Sequence, residues 1–209
     1  MLADLLREPG VEELFELRSE VGFLALHGGN QDRVTDQIAA AAAARAGASL
    51  YAIVQPPTLR WHIPSYRHDP AQSEALSHFL DHARVVISVH GYGCDGWWMD
   101  WRPAGFEETR LGRFHARQAF LLGGRDRDRA AALGDRLRRA LPSYPVLDDL
   151  TQFPKGAWGV HERNPVNLAS GGGVQVECPP RARGLGAGCG NGDTALLVDV
   201  LAEVAGAWA

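Results

Sequence analysis

The tripeptide His27-Gly28-Gly29, with Asp32 five positions after the histidine, and a second pair, His90-Gly91, are the residues of this chain best suited to chemistry. Each pair ends an apolar, strand-like run, so the spacing delivers two imidazoles from strand ends. The glycines that follow let the backbone turn sharply, and Asp32 can return to the same mouth before a helix begins. Zinc in a hydrolytic site takes three protein ligands from His and Asp or Glu and keeps a fourth position for water. His27, Asp32 and His90 supply such a set for one Zn2+ ion. The competing reading is that both histidines are ordinary turn residues.

A metal-activated water needs a carboxylate to take its proton and pass it to a leaving nitrogen. Glu177, at the end of the apolar segment GGVQV, is the candidate catalytic residue. An ion pair with Arg181 or Arg183 is its plainer alternative. Arg125, in the turn GGRDR, could fork a substrate carboxylate or carbonyl. Asn164 and Asn167 could donate to substrate or rigidify their own loop beside Pro165. Arg183 could bind an anionic group near Glu177. Trp97 and Trp98, in the segment after His90, could wall a substrate pocket or form a small local core.

Other nucleophiles are weaker. His62 and Ser65 have no ordered third partner and no G-x-S-x-G elbow, so they read as supporting or packing residues. Cys178, beside Glu177, reads as a small buried side chain. The tract GLGAGCGNGD lacks the G-K-[ST] ending of a phosphate loop.

The elements that must position these residues show in the apolar pattern. Buried strands are expected at residues 21–26, 50–54, 85–89, 119–122 and 174–176, and helices at 34–46, 71–82, 126–141 and 194–207. Residues 11–19 fit a strand or a short helix. Strands alternating with helices predict an α/β sheet covered on both faces, with binding residues at the carboxyl ends of its strands. The chain has 209 residues, 45% of them hydrophobic, enough for the core of one domain spanning 1–209. A net charge of −4 excludes the basic patch that nucleic acid requires. No apolar segment is long enough to span a membrane. Three cysteines without a C-x-x-C spacing, and an N-terminus without export features, point to a reducing cytoplasm.

Six segments in order resemble the poly-γ-glutamate hydrolase family of zinc amidohydrolases. They are HGGNQDRVT (27–35), HIPS (62–65), SVHGYG (88–93), GGRD (123–126), NPVN (164–167) and VQVE (174–177). The resemblance implies a zinc carboxypeptidase-like fold, a three-layer α/β/α sandwich with a mixed, mostly parallel sheet. It maps the zinc ligands onto His27, Asp32 and His90, and the general base and acid onto Glu177. The substrate so implied is a small-molecule or oligopeptide amide, poly-γ-glutamate or a related γ-glutamyl or acyl amide. One departure matters: the family pattern HGGxIExGT has Glu where this chain has Asp32, and Gly where it has Val34. A carboxylate one methylene shorter requires the backbone to approach by ~1.5 Å. If Asp32 does not reach, the alternative is an inactive binding protein that retains the fold.

Overall fold

The computed structural model describes residues 1–93, 118–185 and 192–209. Its centre is a seven-stranded sheet in the order β1-β3-β2-β4-β7-β5-β6. The strands are β1 (Glu12–Glu16), β2 (Ser19–Gly29), β3 (Ala48–Gln55), β4 (Val85–Gly91), β5 (Phe120–Gly123), β6 (Val146–Leu147) and β7 (Gly173–Cys178). The middle strands β3, β2, β4 and β7 are mutually parallel. β1 runs antiparallel to β3, and β5 antiparallel to β7, so the sheet is mixed but mostly parallel. Strands covered on both faces read as unbroken apolar runs, which is why β4 and β7 were visible from composition.

Among the described residues, five helices flank it: α1 (Leu2–Leu5), α2 (Thr35–Ala46), α3 (Glu74–His82), α4 (Arg127–Ala140) and α5 (Gly192–Trp208). Their ends follow local rules. Ser73 caps α3 by accepting from Leu76 N, and Asp126 caps α4 by accepting from Arg129 N. Gly47, at φ +64°, closes α2 in the left-handed conformation. On one face α2, α4 and α5 bury Ile38, Leu133 and Leu201 against Phe23, Ile87 and Val176. On the other, α1 and α3 bury Leu2, Leu5, Leu76 and Phe79 against Leu24, Tyr51 and Val86. These are the three layers expected.

Residues 11–19, left open between strand and helix, contain the edge strand β1. β6 was not foreseen, because two residues carry no periodicity. Among the described residues, no helix is long and apolar enough to cross a membrane.

Candidate metal centre

Three adjacent parallel strands, β2, β4 and β7, bring the site together, because their carboxyl ends open on the same edge of the sheet. His27 lies near the end of β2, and His90 near the end of β4. Glu177 on β7 is the direct register partner of His90, so the two side chains stand side by side. Between Ala25 and Gly28 the pairing of β2 with β3 shifts by one residue, a bulge that re-aims the chain at His27.

The Gly28–Asp32 turn is tight for specific reasons. A Cβ on Gly28 would lie 2.6 Å from both Asp36 Cβ and Ile53 O, and Gly29 has φ +69° against β3. Asp32 N donates to His27 O at 2.7 Å, which pulls the aspartate back over the histidine. Asp36 Oδ1 accepts from Gly29 N at 3.0 Å and anchors the turn to α2. This tight turn brings the Asp32 carboxylate up to the two histidines.

Asp32 Oδ2 lies 3.3 Å from His27 Nδ1 and 3.6 Å from His90 Nδ1. Four ligands at about 2.0–2.2 Å around a tetrahedral ion stand about 3.3–3.6 Å apart, so these separations fit zinc. Among the described residues, His27, Asp32 and His90 form a set whose ligand atoms all lie within 4.8 Å of one another. His27 Nε2 sits 2.7 Å from Ile63 O, which can only accept, so a ring proton lies on Nε2 and Nδ1 is the atom turned towards Asp32. His90 Nε2 is buried with no hydrogen-bond partner among the described residues.

The electrostatics match. Burial would raise the pKa of Asp32, but the two imidazoles of His27 and His90 beside it hold it well below the ordinary carboxylate range. Burial would lower that of His27, yet Asp32 outweighs it and the net shift is upward. His90 is shifted down, by burial first and by the nearby His27 charge. The site thus keeps one anionic oxygen between two imidazoles in a dry setting.

Glu177 is held by a chain of amides. Gln175 Nε2 donates to Glu177 Oε1 at 3.0 Å, and Asn164 Nδ2 donates to Gln175 Oε1 at 3.1 Å. Gln175 lies two residues before Glu177 on β7 and so shares its face. Burial, then the charge of Asp32, pushes the Glu177 carboxyl up to about 8. Gln175 was not singled out in the sequence; its i−2 spacing from Glu177 was the available signal.

The remaining sequence candidates divide. Arg125 is exposed in the β5–α4 turn, and its backbone N donates to Asn167 Oδ1 at 3.0 Å. Asn167 also donates to Gly159 O and His161 O, and Asn164 donates to Gly159 O, so both amides brace their own loop. Arg183 is buried, and three of its hydrogen bonds go to backbone carbonyls. Trp97 and Trp98 lie outside the described residues. Cys178 is fully buried in the core, and burial pushes its thiol up to about 12, which removes it as a nucleophile near neutral pH. The His62 ring packs 4.9 Å from that of His27. Sequence reading passed over His68, whose fully buried ring lies 5.5 Å from His27.

Comparison with known proteins shows what the chain is similar to in sequence and in fold. A sequence profile of the family described as poly-gamma-glutamate hydrolase matches residues 6–97, which include His27, Asp32 and His90. No curated protein matches the sequence significantly. A bacteriophage poly-gamma-glutamate hydrolase structure is similar with a TM-score of 0.69 at 16% identity, over 98% of this chain and 93% of the other. The zinc-free apo form of YndL is similar with a TM-score of 0.69 at 23% identity, over 95% of this chain and 91% of that one. At these identities the structures establish a shared fold.

Proposed function

We propose that this chain is a zinc-dependent amidohydrolase acting on poly-γ-glutamate or a related γ-glutamyl or acyl amide. The observation that carries the reading is the convergence of His27, His90 and Asp32, whose ligand atoms lie within 4.8 Å of one another with Asp32 Oδ2 3.3 and 3.6 Å from the two Nδ1 atoms, and Glu177 in register beside His90. Two imidazoles and one carboxylate around an open position are the donor set of catalytic zinc. When bound, the ion would polarise the amide carbonyl and make a water molecule acidic enough to attack near neutral pH.

The chain's own groups do the rest. Glu177 takes the proton from the attacking water and returns it to the departing nitrogen, so the amine leaves neutral. Gln175 fixes Oε1, which leaves Oε2 as the oxygen on which the proton travels. Burial alone makes Glu177 a reluctant base, and a cation beside it acts in the opposite direction, towards the working range. Exposed Arg125 offers a fork for an anionic part of the substrate, with Asn167 fixing its backbone. Trp97 and Trp98 remain proposed as pocket walls. Against a metal-free binding protein stands the fact that Asp32, despite its shortness, contacts both histidines.

The test is turnover on poly-γ-glutamate and on N-acyl amides, read as release of new amines. Wild type with zinc should cleave an amide and stop on chelation. Glu177→Gln should lose at least about 100-fold in rate while still binding the metal. Unchanged turnover in Glu177→Gln, or cleavage that persists in excess chelator, would contradict the reading.

A further inference from the structure

We propose that Arg183 is a positioning residue that ties together the three backbone segments carrying Asp32, His90 and Glu177. Arg183 Nε donates to Cys178 O at 3.1 Å, Nη1 to Arg33 O at 2.7 Å and Nη2 to Tyr92 O at 2.6 Å. Arg33 follows Asp32, Cys178 follows Glu177, and Tyr92 lies two residues after His90. One planar group therefore gathers the backbone just beyond each of three site residues, from segments up to 150 positions distant in sequence.

The neighbourhood is built around that group. A Cβ on Gly91 would lie 2.5 Å from Arg183 Cζ and 2.6 Å from Nη1, so the glycine after His90 is the space in which the guanidinium sits. Arg183 is only 4% exposed, and among the described residues it forms no salt bridge with a carboxylate. A buried cation satisfied by carbonyls is costly unless its hydrogen bonds are made. Here they are made in three directions that only a rigid fork can serve at once; an ammonium, compact and on a flexible stem, cannot span them. The 3-10 turn Arg181–Arg183 that presents the side chain is held in place, because Thr194 Oγ1 on α5 donates to Ala182 O at 3.0 Å.

The inference rests on the metal-site reading above, and it makes Arg183 a brace of that site in place of a substrate anchor. Zinc affinity, measured by chelator competition, should fall about 10–100-fold in both Arg183→Lys and Gly91→Ala, as for other groups that orient ligands. The double variant should be little worse than the worse single one, because both substitutions remove the same brace. Retention of charge in Arg183→Lys should not rescue. In metal-free protein, hydrogen exchange should quicken together at residues 30–35, 91–93 and 176–178. Affinity within twofold of wild type, with a raised KM for anionic substrate, would overturn the proposal in favour of substrate anchoring. Exchange that quickens only at 178–185 would overturn it as well. If wild type binds no metal, the zinc reading fails, while the exchange measurement still decides the role of Arg183. Gly91→Ala serves if Arg183→Lys does not fold.

Discussion

Asp32 and Glu177 are two carboxylates in one small site with opposite proton affinities. Asp32 Oδ2 faces His27 Nδ1 at 3.3 Å and His90 Nδ1 at 3.6 Å and accepts from Gly91 N at 3.2 Å, and its carboxyl is held well below the ordinary range. Glu177 is raised to about 8 by burial and by the negative charge of Asp32. A pair pushed apart in this way can divide the tasks of holding charge and moving a proton. The raised carboxyl has a consequence for stability in the metal-free protein. Between the ordinary value of 4.5 and about 8, the folded state holds a proton that the unfolded chain has released, so stability falls as pH rises through that window. In chelator, the urea midpoint of Glu177→Gln should therefore gain on wild type steadily from pH 5 to pH 8. A gap that does not change with pH would show that Glu177 titrates normally. The pairing of roles could be guessed from residue types; the direction of the shifts could not, because it depends on burial and on Asp32, which is remote in sequence.

The loop between β2 and α2 shows how an element accommodates a substitution in its motif. Val34 has φ +77°, a left-handed conformation that β-branched residues rarely adopt, at the N-cap of α2. The family pattern has glycine there, and the sequence carried the signal as a mismatch with HGGxIExGT. The strain is held from both sides: Arg33 O accepts from Arg183, and Val34 O accepts from Ile38 N at 3.0 Å. Val34→Gly should raise stability by about 0.5–1 kcal/mol, the relief of a left-handed β-branched residue less the added freedom of glycine in the unfolded chain. Thermal unfolding in chelator reads it, and a clear loss of stability would show that the Val34 side chain contributes more through packing. The strands and helices that frame this loop were legible because each has its own period. The bulge near His27, the two-residue β6 and the Arg183 brace were not, since each depends on contacts between segments far apart in the chain.

At the scale of the molecule, a mostly parallel sheet with helices on both faces sets three strand ends side by side and opens them on one edge. His27 and His90 stood out in the sequence because each precedes a glycine at the end of an apolar run, and Asp32 and Glu177 because each is a carboxylate next to such a run. The residues that orient them, Gln175, Ile63 through its carbonyl, and Arg183, had no such mark or were read for another task. The central claim is that this edge holds a single catalytic zinc, and metal content after reconstitution tests it most directly. Wild type and Glu177→Gln should each retain about one zinc per chain, and His27→Ala should retain far less. Wild type that keeps essentially no divalent ion, or His27→Ala that keeps as much as wild type, would contradict the account.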